Sequence, residues 1–241
     1  MGKLQMKPEA RNAFCIGLMC SVSYLAVYFA RNILGTVSPG MIEDGVLTTG
    51  QIGTLSSVYF ITYAVGQLIN GAIGDRIKAK YMIGFGLILA GVCNSAFALL
   101  AGSPAAAYAA YGMTGFCLSM IYGPMTKVVA ENTELVYATR CSVGYTFASF
   151  FGSPLAGIAA MAFSWWEVFG LSSLILIIMG LVCMAFFHLF ERRGIIQYGK
   201  YQIKEKGGGV RALFQRQIVK FTLISIITGV IRTTVVFWLP T

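Results

Sequence analysis

Residues 13 to 37 read Ala13-Phe-Cys-Ile-Gly-Leu-Met-Cys-Ser-Val-Ser-Tyr-Leu-Ala-Val-Tyr-Phe-Ala-Arg31-Asn-Ile-Leu-Gly-Thr-Val37. A helix needs about 20 apolar residues to cross roughly 30 Å of hydrocarbon. This stretch has that length and carries a single charge, Arg31, which is followed eight residues later by Pro39. Residues 218 to 240 repeat the arrangement, with Arg232 inside the apolar run and Pro240 eight residues beyond it. A guanidinium keeps its proton, and at the centre of a transmembrane helix it costs about 2.5–3.5 kcal/mol on insertion scales. Two such charges at matched positions need either a route to water or a function.

Composition agrees with a membrane-embedded chain: 57% of the residues are hydrophobic, 11% are charged and the mean hydropathy is +0.74. The expected class is an all-α membrane protein. Apolar spans fall at about 13 to 37, 50 to 73, 81 to 101, 105 to 128, 141 to 163, 167 to 189 and 218 to 240. The basic residues test this map, because cytoplasmic loops collect lysine and arginine. Lys3, Lys7 and Arg11 precede the first span; Arg76, Lys78 and Lys80 join the second to the third; Lys127 and Arg140 flank the next such connection. A larger group, from Arg192 and Arg193 to Arg216 and Lys220, follows the sixth span. The alternate connections, at about 38 to 49, 102 to 104 and 164 to 166, hold no basic residue. The expectation is a multi-pass protein of the cell membrane with a cytoplasmic amino terminus. Its net charge of +9 reports topology and contact with the lipid bilayer, and calls for no nucleic acid.

The first span is too long for a secretory signal and lacks a small-residue cleavage site. The six cysteines lie in or beside apolar spans without metal-ligand spacing and read as packing thiols. The expected organisation is an amino-terminal bundle of six spans over 1–190, a basic, glycine-bearing cytoplasmic linker over 191–217, and a seventh span over 218–241. Because the seventh span repeats the first, the chain reads as the opening part of a duplicated, twelve-span transporter whose second bundle is truncated. A complete seven-helix protein is the plainer alternative.

Polar side chains on the spans fall in stripes. Tyr59, Tyr63, Gln67 and Asn70 share one face of the second span, and Tyr24, Tyr28, Arg31 and Gly35 one face of the first. The fourth span offers Ser119, Tyr122 and Thr126, and the fifth Tyr145, Ser149 and Ser153. The third and sixth are almost wholly apolar apart from Asn94, Ser95, Ser172 and Ser173. This pattern places spans one, two, four and five around a hydrated cavity and turns three and six toward lipid. Any single serine or tyrosine is explained as well by an interhelical hydrogen bond or an interfacial anchor. The candidate substrate-binding set is Arg31, Arg232, Tyr28, Tyr63, Gln67 and Tyr145.

Arg31 taken alone could snorkel to the interface along its own stem. Arg232, about fourteen residues into its span, has less room to do so. No aspartate or glutamate is deep in any span. Two buried cations without buried anions invite an anionic ligand, and two planar guanidinium forks can grip phosphate or carboxylate oxygens bidentately. The same lack of buried acids favours anion exchange over proton symport.

Between the second and third spans the chain reads Gly71-Ala-Ile-Gly74-Asp75-Arg76-Ile-Lys78-Ala-Lys80. This resembles the cytoplasmic signature of the major facilitator superfamily, a glycine, two residues, a small residue, Asp-Arg and a basic cluster. Lys78 stands where that pattern has its later glycine. The resemblance implies a conformational role for Gly71, Gly74, Asp75, Arg76 and Lys80, at helix ends that rock against each other. Within the superfamily the chain is most similar to the organophosphate:phosphate antiporters, the glycerol-phosphate and hexose-phosphate permeases. That similarity rests on Tyr28-Phe-Ala-Arg31-Asn32, Gly74-Asp75-Arg76, Gly123-Pro124 with Lys127, and Ile231-Arg232 with Trp238-Leu-Pro240. It implies that Arg31 and Arg232 bind the phosphate group at the base of the cavity. Gln67 stands where the glycerol-phosphate type has a lysine, and Ala148 near where it has a histidine. Ser153-Pro154 reads as a proline kink.

The resemblance thus implies a secondary transporter that moves phosphorylated metabolites in exchange for inorganic phosphate by alternating access, monomeric at full length. A membrane sensor of sugar phosphate with a transporter-like fold, and a proton-coupled facilitator of another organic anion or drug, are the alternatives. No phosphate-binding glycine loop, paired carboxylates or metal-ligand cluster is present in the sequence, so neither an enzyme nor a cofactor or metal is expected. His188, among aromatic residues at the end of the sixth span, reads as interfacial.

Overall fold

A computed structural model describes residues 7–74 and 76–199, together with residues 220, 223, 224, 227–229 and 231. The chain divides into two compact units, Met1–Lys200 and Tyr201–Thr241. In the second, the described residues are helical. Arg232 and the remainder of the seventh span lie outside the described residues, as does Asp75.

The first unit is helical, as a chain in hydrocarbon must be when every backbone N–H and C=O has to be met within the segment. Its elements are α1 (Pro8–Glu43), α2 (Thr49–Gly74), α3 (Ala79–Leu100), α4 (Pro104–Asn132), α5 (Leu135–Phe150), α6 (Gly152–Ala162) and α7 (Trp165–Arg192). Among the described residues, five stretches are long and apolar enough to cross a membrane: α1, α2, α3, α5 with α6, and α7. At 29 residues α4 has the length, but its tyrosines, glycines and Thr114 leave it less apolar than the other five. The fifth expected span is two helices because Pro154 has no N–H for the Phe150 carbonyl, and the chain breaks at Phe151.

The helix ends carry local chemistry. Prolines occupy the first helical position of α1 and α4. Reciprocal capping boxes start two helices: Thr48 with Gln51 before α2, and Ser164 with Glu167 before α7. Gly45 (φ 67°) and Gly194 (φ 69°) close α1 and α7 in the left-handed region. Beyond them the Val46 amide reaches the Met41 carbonyl and the Ile195 amide the Phe190 carbonyl, both at 3.0 Å, completing two Schellman motifs.

The first helix is longer than hydropathy predicts, because it continues through Pro39 to Glu43. The proline removes the amide partner of the Gly35 carbonyl, but the Ser38 hydroxyl donates to that oxygen at 3.2 Å, so the helix survives. The connection to α2 therefore shortens to a few residues, with Glu43 ending the helix and Asp44 capping it. At the same end of the unit, Trp165 Nε1 donates to Asp44 Oδ2 at 2.9 Å and ties α7 to α1.

Each helix packs on few neighbours: α2 on α4, α4 on α3, α3 on α7, and α7 on α1, which also carries α5 and α6. In lipid no hydrophobic force drives helices together, so close approach and interhelical hydrogen bonds must do it. Gly115 of α4 lies so near α2 that a Cβ there would come within 2.6 Å of the Tyr59 carbonyl oxygen. Beside it, Thr62 Oγ1 donates to the Gly112 carbonyl at 2.6 Å. On the opposite side Gly91 of α3 faces the Ser173 carbonyl of α7, and Asn94 Nδ2 donates to Ser172 Oγ at 3.1 Å. Of the polar residues of the third and sixth spans, Asn94 and Ser172 thus bond to each other, while the Ser173 hydroxyl donates within its own helix to the Phe169 carbonyl. Their outward stripes are apolar: Phe85, Leu89, Val92 and Leu99 on α3, and Leu174, Ile178, Leu181 and Val182 on α7.

Candidate functional site

The polar stripes of α1 and α2 converge on Arg31. Its guanidinium carbon lies 5.0 Å from the Tyr63 ring centroid, 5.3 Å from Phe60 and 5.6 Å from Tyr28. The spacing explains the cage. Tyr28 precedes Arg31 by three residues on α1, and Phe60 and Tyr63 are three apart on α2, so each pair occupies one helical face. Cation–π attraction is worth about 0.5–1 kcal/mol at exposed sites and about 2 or more when desolvated. Three rings therefore offset much of the insertion cost of the charge while leaving it ionised. Arg31 is half-buried among these rings, which accounts for it without snorkelling.

The cage has two aromatic extensions. Tyr24 packs edge-on to Tyr28 at 4.9 Å and meets Tyr122 of α4 at 5.6 Å and Tyr145 of α5 at 5.8 Å. Tyr63 stacks on Tyr59, which meets Tyr111 of α4 at 5.0 Å. Gln67 Nε2 donates to the Tyr63 hydroxyl at 2.9 Å and fixes that ring from the next turn of α2. Of the expected site residues described, Arg31, Tyr28, Tyr63 and Gln67 come together directly. Tyr145 is 2% exposed and donates its hydroxyl to Ser142 at 2.9 Å, so it backs Tyr24 and does not border the cage. Phe60 and Tyr24 belong to the assembly although neither was in the candidate set. The four-residue step from Tyr24 to Tyr28 signalled the second of them, whereas Phe60 carried no polar group to mark it.

Among the described residues, the ion pairs are those of Lys78 and Lys80 with Glu191, at the far end of the bundle from Asp44. No described carboxylate pairs with Arg31. The expected motif residues separate here. Gly71 is open, with no atom within 4 Å of where a Cβ would be, and Gly74 lies against Met82. Arg76 is exposed in the α2–α3 turn, its amide bonded to the Ile73 carbonyl at 2.9 Å. Lys80 is in the first turn of α3 and 5% exposed; Nζ donates to Glu191 Oε2 and lies 3.3 Å from His188 Nδ1. His188 is thus a neighbour of that buried ammonium as well as a residue of the rim. The Glu191 hydrogen bond raises the Lys78 pKa above its usual value.

The model of the Major Facilitator Superfamily matches residues 20–241. Among curated proteins, the chain is 37% identical to the Membrane sensor protein UhpC of Salmonella typhimurium over 76 residues, 32% of this chain and 17% of that protein. It is 25% identical to a Probable hexose phosphate transport protein of Chlamydia trachomatis over 165 residues, 67% of this chain and 36% of that one. It is 28% identical to the Glycerol-3-phosphate transporter of Haemophilus influenzae over 76 residues, 32% and 16% respectively. The matched segments span at most about a third of the length of these relatives.

Proposed function

From the premise that this chain belongs to the Major Facilitator Superfamily of membrane transporters, we propose that it handles phosphorylated small organic molecules and grips their phosphate group at Arg31. The observation that carries the reading is the aromatic cage. A guanidinium held by three rings at 5.0–5.6 Å, with no described carboxylate paired to it, is charged, oriented and available to an anion's oxygens. Relatives named as hexose phosphate and glycerol-3-phosphate transporters support phosphate as the charged group. In this reading Arg232 supplies the second fork, Tyr28, Tyr63 and Gln67 orient the ligand, and inorganic phosphate occupies the clamp on the return step of an exchange cycle. Gly71, Gly74, Asp75, Arg76 and Lys80 serve the rocking that exposes the site to each side in turn.

The test is exchange of labelled inorganic phosphate across proteoliposomes by the full-length protein. Arg31→Gln should abolish exchange while membrane insertion is retained; exchange at the wild-type rate would refute the role. A second reading has its own support, because the relative at 37% identity is a membrane sensor. The same clamp would then bind ligand and signal without flux, so saturable phosphate binding with no exchange would select sensing. Uptake that ignores phosphate and follows the pH gradient would select a proton-coupled facilitator.

A further inference from the structure

The outward faces of α3 and α7 run side by side, and at one end both finish in cations. On the α3 side, exposed Lys78, Tyr81, Phe85, Leu89 and Val92 follow one another at steps of three, four, four and three residues, which keeps them on one helical face. On α7, exposed Arg192, Leu189, Ala185, Leu181 and Ile178 repeat those steps in the reverse chain direction. The two helices touch along the seam between these faces, where a Cβ on Gly180 would come within 2.8 Å of the Gly84 carbonyl oxygen. Lys78 Nζ donates to Glu191 Oε1 at 2.8 Å, so the two cationic ends are held next to each other.

Charge at that end is far from balanced. Glu191 is shared by Lys78 and Lys80, while Arg192 and Arg193 are exposed and have no ion pair among the described residues. Four cations thus stand against one carboxylate. Tyr81, 42% exposed and stacked on Phe85 at 6.3 Å between centroids, places an amphipathic ring where the cations give way to the apolar stripe, the position such rings take at a membrane–water interface. From Lys78 to Val92 the helix rises about 21 Å at 1.5 Å per residue, more than one leaflet's half of the roughly 30 Å hydrocarbon layer.

These two properties together select the occupant. A soluble anion meets the charge and leaves the stripes uncovered, whereas a lipid of no net charge covers the stripes and leaves the charge. A second copy of this chain in the same orientation brings like cations to the same level, where they repel. A phospholipid with a net negative headgroup satisfies both the stripes and the cations.

We infer that the outer seam of α3 and α7 is a docking site for an anionic phospholipid, its acyl chains along the two stripes and its headgroup phosphate between Lys78 and Arg192. The site is separate from the Arg31 cage and does not depend on what that cage binds.

The experiment is native mass spectrometry of the 241-residue chain, delipidated in detergent and offered equal amounts of phosphatidylglycerol and phosphatidylcholine with the same acyl chains. The first bound lipid should be phosphatidylglycerol by at least about threefold. Lys78→Gln with Arg192→Gln should bring that ratio close to one. Arg192→Gln alone, which leaves the Lys78–Glu191 pair in place, should at least halve it, and Arg192→Lys should restore it. Lys7→Gln with Arg140→Gln, which removes two cations from α1 and α5, should leave it unchanged, with circular dichroism verifying helix content throughout. No preference in the unaltered chain, a preference that survives the Lys78 and Arg192 changes, or an equal loss in the Lys7 and Arg140 chain would overturn the site. Displacement of the lipid by the same concentration of free glycerol 3-phosphate, or a second copy of the chain retained in place of lipid, would overturn it as well.

Discussion

Replacing Arg31 by lysine keeps the charge and changes only its shape, which makes it the sharpest probe of the cage. Tyr28, Phe60 and Tyr63 surround the guanidinium with ring centroids 5.0–5.6 Å from its carbon, and the group carries its five N–H donors in a rigid planar fork. An ammonium in the same cage retains part of the cation–π attraction but grips a phosphate as a point charge instead of a two-pronged fork. The loss is one of two parallel charge-assisted hydrogen bonds, about 1.5–3 kcal/mol. At about 1.4 kcal/mol per factor of ten, that weakens binding roughly 10- to 150-fold. The assay is calorimetric titration of inorganic phosphate into the 241-residue chain in nanodiscs, with circular dichroism to verify helix content. An Arg31→Lys chain that binds phosphate within about threefold of wild type would show that no fork is in use and that reasoning from the cage to a bidentate grip is wrong.

Other perturbations bear on the scaffold. Gly115→Val drives a branched side chain against the Tyr59 carbonyl, 2.6 Å from the would-be Cβ, and should destabilise the α2–α4 seam by about 1–3 kcal/mol, read as a lowered thermal transition in detergent. Glu191→Gln leaves the nearly buried Lys80 ammonium without its counter-charge and should cost about 1–3 kcal/mol in the same measurement. Lys78 is exposed and contributes less, but its direction is fixed. Its pKa is raised above 10.5 by Glu191, so its contribution is complete below that value and fades as pH climbs through the higher folded one. Lys78→Ala should therefore flatten a decline in stability seen only in strongly alkaline buffer.

Much of this was legible in the chain because membrane helices announce themselves. Hydropathy located the long helices, and four-residue spacing put Tyr24, Tyr28 and Arg31 on one face and Tyr59, Tyr63 and Gln67 on another. What it could not give was the company each face keeps. Tyr145 has the spacing of a cavity residue, yet Ser142 takes its hydroxyl and Tyr24 its ring, a matter of helix rotation that no one-dimensional pattern contains. Phe60 has no polar group to mark it, and only the approach of Arg31 from α1 brings its ring into the cage. Pro39 reads as a helix end because its cost is local and visible, while the remedy, a Ser38 hydroxyl on the Gly35 carbonyl, depends on a rotamer.

The elbow between α5 and α6 has a mechanical meaning. A rod missing one rung flexes at that rung without breaking anything further, and Pro154 has already removed it. Immediately beyond the elbow Gly152 rests on the backbone of Tyr28, so close that even a methyl group there would stand 2.6 Å from the Tyr28 Cβ. A change of angle at the elbow would therefore press on the residue that walls one side of the arginine.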